Sequence, residues 1–318
     1  MNSARVNAPI IIVAARQRGV ALLATVLVVA VAMILIAGLL DRGLIGQARA
    51  LQATRAAQAV AFQHGLELWA SRVLHDDQAE DGVDSHADIW ARPLPPLTAP
   101  EGLVQGRMWD MDGCLNLNAL HPDSGLAEVT RPRMERLLRH LRLPPELVDI
   151  IGDWLDADGV SSRGGAEDAA YAALSPPRRP ANALLVHVSE LKALIGIDGE
   201  VYERLLPHVC ALPDPTSPVN INTATPEVLM SLHEGITPVL AQRLHAAGRA
   251  RFTSVEELLA QLSELGIEGV VVPGLSVASR YFVAEAEIVL AEVPVRLYSL
   301  LERHDGRVRV LARSQGRF

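Results

Sequence analysis

Five carboxylates crowd one short stretch of this 318-residue chain: Asp153, Asp156, Asp158, Glu167 and Asp168 all fall within the sixteen residues DWLDADGVSSRGGAED. Charges of one sign at that density repel unless water solvates them or a hard cation such as calcium, which takes oxygen ligands, neutralises them. Counting Asp156 as the first position of a calcium loop puts Asp158 third and Glu167 twelfth, as in an EF-hand, but Val160 stands fifth and Ser161 occupies the sixth position, where that loop needs Gly. The stretch is not an EF-hand, and the residues alone leave a solvated acidic loop and a cation site equally open. Cys114 and Cys210 are the two thiols, too few for a zinc site. They either pair or serve as small buried hydrophobes, and their places, one on an expected strand and one at a helix end, favour the second. His64, His75 and His86 read as surface residues. No G-x-S-x-G, Walker or G-x-G-x-x-G pattern and no H-E-x-x-H spacing occurs, so no catalytic residue is indicated.

The elements that must carry these residues begin with a membrane span. Val20 to Leu40 is 21 residues without a charge, enough at 1.5 Å per residue to cross about 30 Å of hydrocarbon. A cleaved secretory signal has a shorter apolar region and an A-x-A exit, both missing here. Arg5, Arg16 and Arg18 precede the span, whereas Asp41 and Arg42 follow it, so the positive-inside rule places the N-terminus in the cytoplasm and the bulk of the chain outside. Leu44, Ala48, Leu51, Ala59, Phe62, Leu66, Trp69 and Val73 continue a helical spacing, which extends the helix to about Leu74, with Gly43 and Gly46 as its weak point. The mean hydropathy of +0.20 is explained largely by this one segment.

Beyond the helix, length alone suggests about two domains. His75 to Gly102, rich in Asp and Pro, reads as a loop; Gly102 to Leu120 reads as an edge strand bending at Met111-Asp112-Gly113. Helical segments follow from Pro132, Pro145, Ser189, Gly199, Pro226, Pro238 and Ser254, Pro or Ser standing at most of the starts. Then Tyr281 to Leu290, Val293 to Arg303 and Arg307 to Ala312 alternate as strands, the last two joined by the hairpin signal Asp305-Gly306. The class expected is α+β, a long N-terminal helix on a small antiparallel sheet, with a large all-α block inserted between strands. Val219 to Glu227 with Phe252 to Leu258 resembles a helix-hairpin-helix or SAM-like module. Such a module on a membrane tether raises the alternative of a periplasmic DNA-uptake receptor. However, its turn is Gly235-Ile236-Thr237, lacking the second Gly that lets a phosphate approach, and the net charge is −8, which opposes a nucleic-acid partner.

The leader Arg16-Gln17-Arg18-Gly19 before Val20 resembles the type IV prepilin and pseudopilin signal. The resemblance implies that a prepilin peptidase cuts after Gly19 and methylates Val20, the helix being retained. Most such chains carry Glu at the fifth mature position, whereas this one has Ala24. A carboxylate in hydrocarbon is costly unless paired, and the partner implied is the N-terminal amine of the subunit ahead; a tip subunit has none ahead of it. That departure, and Asp110 to Asn118 as D-x-x-G-x-x-N-L-N, is similar to the K-type minor pseudopilins of the type II secretion system, the GspK family. The likeness implies a residue plan of leader 1–19, membrane part 20–40, pilin-like domain 41–120, inserted helical domain 121–280 and closing strands 281–318. It also implies calcium at D-x-x-D-x-D and G-A-E-D-x-x-Y, with Asp156, Asp158, Glu167 and Asp168 as ligands beside Asp153. The partners implied are the I-type and J-type minor pseudopilins and the major pseudopilin, with the secretin or exported substrate beyond. The location implied is the inner membrane with a periplasmic bulk.

Overall fold

A computed structural model describes residues 14–80, 82–99, 102–290 and 293–316; residues 1–13 of the expected leader lie outside the described residues. The chain packs as two units, one through Val60 and one from Ala61 onward. The first is helical throughout its described part. Helix α1 (Ala14–Glu80) has no break at Gly43 or Gly46, and its apolar side chains Leu22, Leu23, Ile34 and Leu39 stand open over most of their surface. Among the described residues one helix is long and apolar enough to cross a membrane, its most apolar window reaching mean hydropathy 3.1.

The second unit opens with the last turns of α1, which run past the expected end at Leu74. Leu66, Ala70 and Leu74, four residues apart, are buried on one face, as helical spacing onto a sheet requires. The sheet has five strands, β1 (Leu94–Ala99), β2 (Gly102–Asp110), β7 (Tyr281–Leu290), β8 (Val293–His304) and β9 (Arg307–Ser314), in the order β1-β2-β7-β8-β9 and antiparallel throughout. Two expectations are corrected here. Part of the supposed loop is strand β1, in which Pro95 and Pro96 fall where the register with β2 slips between Leu94 and Leu97. Proline donates no ladder hydrogen bond, so an irregular edge is where it fits. Strand β2 is consequently internal, not an edge. The Asp305-Gly306 hairpin turn has positive φ at both residues, 50° and 70°, the form that matches strand twist.

Between β2 and β7 lie β3 (Leu115–Asn116), α2 (Ala127–His140), α3 (Leu147–Leu155), α4 (Asp168–Ala172), α5 (Gly199–Leu205), β4 (Val209–Cys210), β5 (Val219–Asn220), α6 (Pro226–Leu232), α7 (Pro238–His245), α8 (Val255–Glu264) and β6 (Leu275–Ser276). The stretch is not wholly helical, since β3 pairs with β4 and β5 with β6 as two short parallel bridges. The segment from Ser189 is a 3₁₀ turn over Val188–Ala193, and Pro132 lies inside α2 rather than at its start. Leu137, Leu138, Ile151, Leu155, Leu229 and Leu258 form one core, each fully or almost fully buried. The cysteines are not free hydrophobes: Cys114 and Cys210 form a disulfide with Cα atoms 5.9 Å apart, beside the β3–β4 bridge. Sequence reasoning left pairing open but favoured buried hydrophobes from the residues' places on a strand and at a helix end; across a separation of 96 residues, the Leu115–Val209 and Asn116–Cys210 pairings bring the two segments together.

Candidate metal centre

Helix α3 turns every residue from Leu147 to Leu155 inward except Asp149, and Asp153 is fully buried among them. A buried carboxylate requires donors. Ser162 donates its backbone N–H to Asp153 at 3.0 Å, and the Ser161 hydroxyl lies 3.4 Å away. The returning loop passes so close that a Cβ on Gly165 would sit 1.9 Å from Asp153 Oδ2, so glycine is the residue that lets the loop cover the carboxylate. Asp156 caps the C-terminal end of α3. Glu167 precedes α4 at the N-cap position, yet its side chain caps nothing. It points to Asp153 and Asp156, and one oxygen from each of these three residues lies within 4.8 Å of the other two.

Asp153 has donors, but oxygens on the other two residues of the trio lack them. Both Glu167 carboxylate oxygens and Asp156 Oδ1 are buried and unpartnered. Burial pushes the Glu167 carboxyl up, and the charges of Asp153, Asp156, Asp158 and Asp168 push it further; burial and then Asp158 and Asp153 raise Asp156 likewise. A hard divalent cation would satisfy the oxygens and offset the repulsion together. The donor set, three carboxylates and no nitrogen or sulfur, suits calcium or magnesium rather than zinc. Of the five acidic residues singled out in sequence, Asp158 and Asp168 lie outside this trio. Asp158 instead accepts the Val160 N–H at 2.8 Å, closing the turn between α3 and the loop, and Asp168 is exposed at the first turn of α4. Tyr171 lies in α4. It is fully buried with its ring edge-on to Trp154 at 5.4 Å, and so seats α4, and Glu167 with it, against α3.

The D-x-x-G-x-x-N-L-N segment holds the fold rather than a ligand. Asp112, buried, accepts the backbone N–H groups of Arg280 and Tyr281, both at 2.7 Å, and the Ser217 hydroxyl at 2.5 Å. A Cβ on Gly113 would lie 2.7 Å from the Thr223 carbonyl oxygen. Asn116 donates to the Asp214 carbonyl and accepts from Leu212; Asn118 donates to Leu185 and Leu212 and accepts from Leu185. Asn220 donates to the Asp84 carbonyl and the Ser279 hydroxyl, and Asn222 exchanges two hydrogen bonds with the Phe252 backbone. Sequence reasoning missed the second pair, whose signal was the N-x-N spacing shared by Asn116-Leu117-Asn118 and Asn220-Ile221-Asn222. In the Gly235-Ile236-Thr237 turn, the Gly235 N–H is taken by His233 Nδ1 at 3.0 Å, and the Thr237 hydroxyl caps α7 at Leu240. Donors that a phosphate would use are thereby occupied from within.

An N-terminal helix long and apolar enough to cross a membrane, followed by an α+β unit, defines a pilin-like fold. Models of the family "Type II secretion system (T2SS), protein K" match residues 113–214 and 219–278. Type II secretion system protein K of Pseudomonas aeruginosa is 36% identical over 94% of this chain and 93% of its own length, and that of Klebsiella pneumoniae 33% identical over 95% and 97%. A chain of the crystal structure of the GspK–GspI–GspJ complex from enterotoxigenic Escherichia coli superposes with a TM-score of 0.74 at 26% identity, covering 85% of this chain and 100% of that one. The chain belongs to the type II secretion system protein K family and is a minor pseudopilin of that system. The DNA-uptake alternative finds no support in these relatives.

Proposed function

We propose that this chain sits at the tip of the periplasmic pseudopilus with the I-type and J-type minor pseudopilins, starting or capping its assembly above the major pseudopilin. The observation that carries the reading is the superposition over the whole of a chain from a GspK–GspI–GspJ complex. Ala24 supports it, since a subunit with none ahead of it needs no carboxylate at that position to meet a neighbour's amine. In this reading prepilin peptidase cuts after Gly19, α1 from Val20 bundles with the helices of its partners, and the role is mechanical rather than enzymatic. The segment between β2 and β7 acts as an inserted helical domain, its single core favouring that division, and offers the surface that meets the secretin or exported substrate. Copurification of the full chain from membranes with tagged I-type and J-type partners tests the placement. A ternary complex is expected, and a chain that pairs only with the major pseudopilin overturns it.

We further infer a calcium ion held by Asp153, Asp156 and Glu167, with Asp158 and Asp168 adding negative field. The ion would supply charge neutralisation and fix the loop from Asp156 to Glu167 on α3; the trio's unpartnered oxygens support this. Calcium added to chelator-treated protein should raise Tm, and an unchanged Tm removes the claim.

A further inference from the structure

A second buried acidic arrangement lies where the last turns of α1 meet the sheet. Asp84 is wholly buried and the Asp77 side chain is only 9% exposed, and both face one guanidinium, that of Arg303 on β8. Arg303 is itself buried. It donates to Asp84, to Asp77 Oδ2 at 3.4 Å, to the Leu74 carbonyl at 3.2 Å and to the Ser279 carbonyl at 2.9 Å, with its face over the Phe282 ring. One cation thus serves two carboxylates, and two of its four contacts go to backbone oxygens.

The neighbouring charges are engaged elsewhere. Asp88 is held by Arg251 and by the Ser85 N–H. Asp112 takes the Arg280 and Tyr281 N–H groups and the Ser217 hydroxyl, and the Arg280 side chain goes to Asp214 and Glu302. Asp84 Oδ2 accepts the Ser279 N–H at 2.7 Å, but Asp84 Oδ1 is buried with no N–H or O–H donor. The Asp77 carboxyl faces the same guanidinium and is a side-chain hydrogen-bonding neighbour of Asp84. Two buried like charges on one counter-ion are expensive, and a proton between them removes one charge and satisfies the orphaned oxygen.

We propose that Asp77 and Asp84 share one proton in the native protein, forming a proton-dependent clamp that holds the end of α1 to β8 through Arg303. With the proton in place Asp77 donates to Asp84 Oδ1 and one negative charge faces one guanidinium. Without it two carboxylates compete for Arg303 and the Leu74 end of α1 is pushed from the sheet. The electrostatics agree: burial first, then the charges of Asp84 and Asp88, push Asp77 up to about 7, and burial raises Asp84 as well. A folded value above the unfolded one gives stability that is complete at acid pH and lost as pH rises through about 7.

Thermal unfolding of the full chain in detergent, from about pH 5.5 to about pH 8.5, tests the clamp with the variants Asp77→Asn and Asp84→Asn. The wild-type Tm is expected to fall across that range. Asp77→Asn, whose amide donates to Asp84 at any pH, is expected to flatten the profile and to match or exceed wild type at the alkaline end. Asp84→Asn, leaving Asp77 alone with Arg303, is expected to flatten it too. Infrared spectra supply a readout independent of stability, a protonated carboxyl band near pH 6 that is weaker by one carboxyl in the Asp77→Asn spectrum than in wild type, Asp110 keeping its own share because burial pushes it up to about 8. Parallel Tm profiles in wild type and variants, or identical carboxyl bands, overturn the proposal.

Discussion

Gly165 and Asp153 are the residues on which the candidate metal centre turns. Replacing Gly165 with Ala drives a Cβ to 1.9 Å from the Asp153 carboxylate, so either the loop or α3 must move. In calcium, Tm should drop by several degrees, a cost of about 1–3 kcal/mol of overpacking. Asp153→Asn removes a charge but preserves shape, so its loss should appear only when calcium is present. A ligand at a hundred times its Kd contributes about 2.7 kcal/mol, and calorimetry with and without chelator reads the difference. Equal losses in both conditions would assign these residues to packing alone. At this scale the sequence displayed that carboxylates are dense from Asp153 to Asp168, because density needs no fold to be seen, but not that only Asp153, Asp156 and Glu167 would gather. It did not display that Asp158 would serve a turn, since that depends on where the Val160 N–H points.

Elements are tied to one another through a few buried polar groups, and Glu67 on α1 is the clearest. It accepts from Ser299 on β8 at 2.6 Å and from Arg313 on β9 at 2.7 and 2.9 Å, with His64 at 3.0 Å. Burial pushes its carboxyl up, but the hydrogen bonds from Arg313, Ser299 and His64 outweigh burial and hold it below its ordinary 4.5. A depressed value stabilises the fold above the ordinary carboxyl range and loses that contribution as pH falls through the folded value. Glu67→Gln should therefore cost about 1–3 kcal/mol at neutral pH and much less near pH 3, measured by denaturant unfolding at both. The Cys114–Cys210 disulfide closes a 96-residue separation that contains α2 to α5, and its reduction should cost up to about 4 kcal/mol. A Cys114→Ser, Cys210→Ser chain should melt about 10 °C lower, and be indifferent to reductant. The C-terminal strands and α6 were legible because alternation, Pro at N1 and an Asp-Gly turn are local signals. Strand β1 was not, as its prolines mimic a loop until β2 supplies a bulged register. The disulfide was equally hidden, since β3 and β4 are two residues each and their pairing is tertiary.

For the whole molecule, the division of labour lies along α1. The stretch from Val20 to Leu40 leaves its apolar side chains open, whereas from Ala61 onward the helix contributes Leu66, Ala70 and Leu74 to a buried face. One continuous element thus serves two solvents, hydrocarbon first and a protein core later. This plan was visible in sequence, because a charge-free run followed by an amphipathic one is a pattern of composition. Helicity continues back through Gly19 to Ala14, so a peptidase acting after Gly19 would cut within a regular helix, where Arg16 and Arg18 give way to an uncharged run. The mature chain should begin at Val20, methylated, when the full sequence is expressed with a prepilin peptidase, and intact-mass measurement should show the loss of nineteen residues. Gly19→Val, which adds a branched side chain where the peptidase must close on the backbone, should keep the leader and withdraw the chain from complexes with the I-type and J-type partners. Because the substitution lies outside the unit from Ala61 onward, its Tm should match that of wild type. A leader retained in wild type, or a first residue beyond Leu40, would mean that the helix is anchored or removed by a different route and that Val20 carries no special role in assembly.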